Sequence, residues 1–482
     1  MQEEMIILIT ILVYFAILFG ISHLTSKKAD NNTFYRANRR APWYMVAFGM
    51  IGASISGVTF VSVPGMVLTS QMTYLQMCLG FIVGYFVIAF VLLPLYYRLN
   101  LTSIYSYLGQ RLGERSYLTG ASFFLLSKMT GAAVRFYVVC IILQQFVFAP
   151  AGIPFAVNVV VMVLLIWLYT RRGGIGTLVF TDSFQTLCLF TALVLIIFSV
   201  INQMHLSVNG AIATITNSEM SRIFVFDDWL SPHNFWKQFL SGAFVAIVMT
   251  GLDQDMMQKN LTCKTLRDAQ KDMCTYGMAF VPANLLFLSL GVLLTILAGQ
   301  EVPLKGDMML PAFVGQSGMA VMILFSIGIV AASFSSADSA LTSLTTCFCV
   351  DICRQPENEA LRKKTHIAMC GFFMLFILLF QQLNSTSLID AIYTLASYTY
   401  GPLLGLFAFG LFTKRQPNDR LVPYICIASP LLCYALDSMA IHLWDYHFGY
   451  ELLMLNGIFT FLGLCTNFET MSRRYSRSEK LK

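Results

Sequence analysis

Apolar runs of roughly 20 residues follow one another along the whole chain, separated by short connections that hold most of the charged side chains. Each run is long enough to cross a hydrocarbon core of about 30 Å as a helix. The pattern predicts thirteen spans, over 5–24, 43–69, 72–97, 117–148, 153–170, 174–203, 236–256, 272–299, 317–350, 365–384, 387–413, 421–442 and 449–467. The longest polar connections, Met204 to His233 and Gln258 to Asp272, leave no stretch for a soluble domain. The first run, Ile6 to Gly20, follows acidic Glu3 and Glu4 and lacks a small-residue cleavage site, so it reads as a retained helix rather than a signal peptide.

Composition supports this all-helical membrane class. With 57% hydrophobic and 12% charged residues over 482 positions, the chain lacks the polar surface to coat a soluble fold of its size. Charge then sets a topology. With the N-terminus outside, 26 of the 31 basic residues fall in cytoplasmic connections and the C-terminal tail. Arg222, Lys237 and Lys305 fall outside, and Lys128 and Arg135 lie within a span. This is the asymmetry the positive-inside rule requires, and one missed span would invert everything after it. It also accounts for the net charge of +6 without a nucleic-acid partner. The twelve cysteines are scattered without CxxC pairs and the six histidines are dispersed, which predicts neither a zinc site nor a disulfide framework.

Two spans carry helix-breaking sequence. The second reads Gly52-Ala53-Ser54-Ile55-Ser56-Gly57 and then Pro64-Gly65, and the seventh has weak points at Ser241-Gly242 and Thr250-Gly251. Unwound backbone in lipid is tolerated where it lines a cavity or binds something. Two broken helices five spans apart point to an inverted-repeat transporter with its site near the midplane. The alternative is close helix packing on small residues.

In the ninth span, Ala332, Ser335, Ser336, Ser339, Thr342, Ser343 and Thr346 recur at helical spacing and share one face. Hydroxyls and freed carbonyls are oxygen ligands suited to sodium, although packing could use the same stripe. Asp338 lies on this stretch, and Asp182 lies about 12 Å into the sixth span. Acids at that depth are costly and mark ion or proton pathways. Arg135 is equally costly: its guanidinium either pairs with an internal acid such as Asp182 or receives an anionic substrate. Lys128, seven residues earlier on nearly the same face, reads as a side chain snorkelling toward the cytoplasm.

At these residues the chain resembles the sodium:solute symporter family. The features are Arg39-Arg40-Ala41-Pro42-Trp43 before the Ala-Ser-x-Ser-Gly break, Gly173-Gly174 with Thr181-Asp182-x-x-Gln185, and Asp253-Gln254-x-x-x-Gln258-Lys259. Lys259 stands where the family has arginine. Ala331-Ala332-Ser333-Phe334-Ser335-Ser336 through Asp351-Ile352, and Gly401-Pro402-Leu403-Leu404-Gly405-Leu406-Phe407, complete the series.

The resemblance implies the leucine-transporter fold. It would comprise a leading helix (5–24), two inverted repeats of five spans (43–203 and 236–413) and two trailing helices (421–467) in a single transmembrane domain. It also implies a sodium site at the carbonyls of Gly52, Ile55 and Ala332 and the hydroxyls of Ser335 and Ser336. A second cation site, as in sialic acid transporters of the family, would fall on Asp182, Ser335, Asp338 and Ser339, with Asp338 in place of a hydroxyl. By the same resemblance Arg135 would bind a substrate carboxylate, with Ser54, Ser56, Thr59 and Gln76 nearby. The expected function is sodium-coupled import of a small organic anion by alternating access in the inner membrane, with sodium co-transported. Neutral sugar or vitamin symport is the alternative. An intramembrane transferase would need paired Asp-rich motifs or a His–Asp arrangement at one interface, and the sequence has neither. The only partners expected are the solute, sodium and the bilayer.

Overall fold

The computed structural model describes residues 2–466 apart from 28, 151, 230, 300–305, 384–387, 445 and 447. It is built from helices. The first half contains α1 (Gln2–Thr25), α2 (Trp43–Ser54), α3 (Gly57–Ser70), α4 (Tyr74–Arg98), α5 (Glu114–Leu143), α6 (Phe155–Thr170) and α7 (Ile175–Gln203). The second half contains α8 (Phe235–Gly251), α9 (Gln254–Asn260), α10 (Leu266–Ala298), α11 (Met319–Ile352), α12 (Glu359–Leu383), α13 (Leu388–Phe412), α14 (Val422–Trp444) and α15 (Leu452–Thr466).

Among the described residues, eight helices are long and apolar enough to cross a membrane, and ten if each bent pair counts as one span. The bent pairs are α2 with α3, at 61°, and α8 with α9, at 71°. α6 and α15 are apolar but shorter. Each predicted span overlaps one of these helices or bent pairs, and α10 and α12 each begin six residues before the predicted starts at 272 and 365, at Leu266 and Glu359.

Burial orders the bundle. From Gly328 to Cys347 every residue of α11 is buried, so this helix is surrounded by protein and its hydroxyls face neighbouring helices. It packs against α5 and α7, and α7 in turn packs against α2. α14 instead exposes Tyr424, Ile427, Leu431, Leu432 and Tyr434, the outward apolar face expected of a peripheral helix in lipid.

Glycine lets the first bent pair sit close to its neighbours. A Cβ at Gly52 would collide with the Thr186 hydroxyl on α7, and one at Gly57 with the Ser333 hydroxyl on α11. The broken helix is thereby wedged between the two helices that carry the candidate ion ligands. At Ser241-Gly242 the close-packing alternative is the one observed. α8 runs on unbroken there, and Gly242 lets the backbone at Met77 of α4 approach. The interruption lies after Thr250-Gly251, the second of the two weak points.

Candidate functional site

At the first break the Ser56 N–H turns back to the Ser54 carbonyl at 3.1 Å, with Ile55 at φ −82° and ψ 85°. This is an inverse γ-turn. It diverts the donor that a continuing helix would give to Gly52, and no described N–H bonds to the Ile55 carbonyl. Two backbone oxygens are thus left open beside the hydroxyl-bearing helix. On α11, Ala332, Ser335 and Ser336 are buried, and Ser336 also lines the adjoining cavity.

The four side chains of the expected second cation position also lie on the facing helices α7 and α11. The Ser335 hydroxyl donates to Asp182 Oδ1 at 2.9 Å, and the Ser339 hydroxyl donates to Asp338 Oδ1 at 3.3 Å. Tyr169 of α6 donates to Asp338 Oδ2 at 2.6 Å. A cation from the chain itself is already present: Lys259 Nζ of α9 lies 2.7 Å from Asp182 Oδ2, with both side chains almost fully buried. The sequence reading counted Lys259 among the cytoplasmic connections. That placement is corrected, because α9 folds back into the protein and buries every one of its residues.

A cavity opens between the two breaks. Its polar lining includes Ser54, Ser56, Thr59, Ser127, Lys128, Arg135, Thr250, Asp253, Asp255, Ser336 and Tyr400. The aromatic lining includes Tyr85, Tyr276 and Phe280. Ser54 is held by the Tyr276 hydroxyl at 2.6 Å, which also contacts Tyr85 at 3.0 Å. Arg135 is half-buried, and among the described residues no hydrogen bond or ion pair to it is observed. Asp182, the internal acid considered for it, is committed to Lys259. Gln76 is outside this lining: its side chain donates to the His233 carbonyl at 2.9 Å and accepts from the Val225 N–H at 3.0 Å.

Sequence comparison places these features in a family. The model of the sodium:solute symporter family matches residues 34–419. The chain belongs to the sodium:solute symporter family. Among its relatives, the sodium/sialic acid symporter SiaT of Proteus mirabilis is 26% identical over 458 residues, covering 86% of this chain and 87% of the relative. The sodium/sialic acid symporter NanT of Aliivibrio fischeri is 27% identical, covering 84% and 82%. The solved outward-open structure of a Na+-coupled sialic acid symporter superposes with a TM-score of 0.82 at 22% identity, covering 97% of this chain and 99% of that one. The fold is therefore the leucine-transporter fold of that symporter, and the family and these relatives are sodium-coupled transporters rather than enzymes.

Within this symporter fold, several polar residues at the cavity escaped the sequence reading. Lys128 does not snorkel. It is buried, with Nζ 2.6 Å from Asp255 Oδ2 and 3.2 Å from Asp253 Oδ2. Asp253 also accepts from the Tyr400 hydroxyl at 2.5 Å and from the Asp255 N–H at 2.8 Å, capping α9. The available signals were the shared face of Lys128 and Arg135 and the pairing of Asp253 with Asp255 beside a helix break. Seven residues along a helix place Lys128 about 10 Å from Arg135 on nearly the same face of α5.

Proposed function

We propose that this symporter couples sodium to the uptake of a small organic anion whose carboxylate is received by Arg135. The observation that carries this reading is a half-buried guanidinium lining a cavity at the broken helix, with no acid partner among the described residues. A half-buried arginine without a counter-ion in a cavity is poised for an anion, and a bidentate carboxylate is the ligand its planar fork fits. The relatives that carry sialic acid, itself a carboxylate, support the same class. Ser54, Ser56 and Thr59 complete the proposed solute wall, and Gln76 acts at one remove by holding the loop between Val225 and His233.

Sodium is proposed at the carbonyls of Gly52, Ile55 and Ala332 and the hydroxyls of Ser335 and Ser336, joining the broken helix to α11. Binding there stabilises the outward-open arrangement, solute then favours closure, and both leave inward. The thirteen spans, the two five-span repeats, an outside N-terminus and residence in the inner membrane belong to this proposal. The charge asymmetry of the connections supports it. For the second cation position of Asp182, Ser335, Asp338 and Ser339, the Lys259 ammonium competes with a second sodium. Lys259→Met is expected to let one more sodium bind, steepening the dependence of thermal stability on sodium concentration. An unchanged dependence removes Lys259 from that role.

The deciding experiment is a thermal-shift and proteoliposome-uptake screen of sialic acid, monocarboxylates and neutral sugars, with wild type and Arg135→Ala. The expected result is sodium-dependent stabilisation and uptake for an acid, lost by about 100-fold in Arg135→Ala. A neutral ligand that stabilises both proteins equally removes Arg135 from the solute site and favours sugar or vitamin symport.

A further inference from the structure

The cavity has a second charged end that neither the sodium position nor the Arg135 carboxylate site uses. About 10 Å along α5 from Arg135, Lys128 meets Asp253 and Asp255 at the second helix break. Lys128 and Asp253 are well partnered, since Asp253 also takes the Tyr400 hydroxyl and the Asp255 N–H. Two other groups of the cavity lining are not. Asp255 Oδ1 and Ser127 Oγ are buried, have no hydrogen-bond partner among the described residues, and belong to side chains that line the cavity. An unsatisfied carboxylate oxygen in a buried site is expensive, and two unsatisfied groups lining one cavity call for a ligand that supplies donors.

We infer that Asp255 and Ser127 form a recognition subsite for hydroxyl or ammonium donors on the carried acid, opposite the carboxylate end at Arg135. The inference rests on the Arg135 reading. It narrows the solute class to acids bearing polar donors at the end remote from the carboxylate, against plain aliphatic acids. The subsite acts on selectivity: a hydroxyl reaching Asp255 gains a charge-assisted hydrogen bond, whereas a methylene there leaves the oxygen unpaired and dry. Asp253, held by Lys128, Tyr400 and its own helix cap, keeps the wall in place rather than meeting the solute.

Binding of three acids to the full-length protein in saturating sodium tests this: sialic acid, gluconate and hexanoate. Gluconate and hexanoate share a six-carbon chain and differ in hydroxyls. Wild type is expected to bind at least one hydroxylated acid about tenfold or more tightly than hexanoate. Asp255→Asn should remove most of that difference while leaving hexanoate within about twofold. Ser127→Ala, a milder change, should reduce it by about threefold or more. Sodium-dependent thermal stabilisation of each variant checks that fold and ion site persist. If Asp255→Asn does not fold, Ser127→Ala and the wild-type series decide.

Wild type without preference for hydroxylated acids overturns the subsite, as do variants that weaken all three acids equally. The equal loss would instead mark the Lys128–Asp255 pair as an inner closure of the cavity. If no acid binds wild type at all, the Arg135 reading itself has failed, a result distinct from acids that bind without discrimination.

Discussion

The two broken helices solve the same problem in opposite ways. At the first break an inverse γ-turn leaves the carbonyls of Gly52 and Ile55 without their helical donors, and a hydroxyl-bearing helix stands opposite. At the second break two carbonyls, those of Gly251 and Leu252, are taken by the protein. The Tyr96 hydroxyl donates to the Gly251 carbonyl and the Tyr105 hydroxyl to the Leu252 carbonyl, each at 2.9 Å. Asp253 then caps α9, and Lys128 neutralises the acids that follow. An unwound segment whose carbonyls are taken by side chains offers fewer oxygens to an ion. One whose oxygens are open is poised for a hard cation, so backbone interruption alone does not make an ion site.

Removing what satisfies the second break should produce the largest effect. Lys128→Ala leaves two buried carboxylates without their counter-ion and is expected to cost about 3–5 kcal/mol. The melting temperature and the yield of folded protein in detergent report it. Unchanged melting would mean that water in the cavity already solvates Asp253 and Asp255, and the contrast between the breaks would weaken.

The first break should respond through sodium rather than through stability. Ser336→Ala is expected to raise the sodium concentration for half-maximal uptake about tenfold, equivalent to about 1.4 kcal/mol, with solute affinity near normal at saturating sodium. Uptake into proteoliposomes across a sodium series measures it. Sodium dependence identical to wild type would take Ser336 out of the ion site.

The smallest effect sharpens the comparison most directly. Tyr105→Phe deletes the hydroxyl that satisfies the Leu252 carbonyl and is expected to cost about 1 kcal/mol of stability while sodium dependence is unchanged. If the variant instead acquired a new sodium requirement, an uncapped carbonyl would by itself suffice to recruit the ion.

Much of the architecture was legible because lipid imposes a strict code. A span must be apolar for about 20 residues, its backbone must be internally paired, and its connections must obey the charge asymmetry. Helix positions and the first break follow from that code. The hydroxyl stripe on α11 was legible because helical spacing alone aligns Ser335, Ser336 and Ser339. Ser241-Gly242 stays open between break and crossing in the sequence because small residues serve both, and only the approach of α4 at Met77 distinguishes them. Lys128 and Lys259 were misplaced because a lysine near an interface and a lysine folded inward have the same local sequence.

The amino-acid order by itself therefore determined an all-helical membrane chain, the place of its principal break and the face that carries its hydroxyls. These are local properties, set by hydropathy, periodicity and backbone chemistry. Pairing of charges was decided only by the tertiary structure. Asp182 meets Lys259 across 77 residues and Lys128 meets Asp255 across 127, while Arg135 keeps a guanidinium without an acid partner among the described residues. In a low-dielectric interior an unpaired charge is costly, and which partner arrives depends on how distant helices pack.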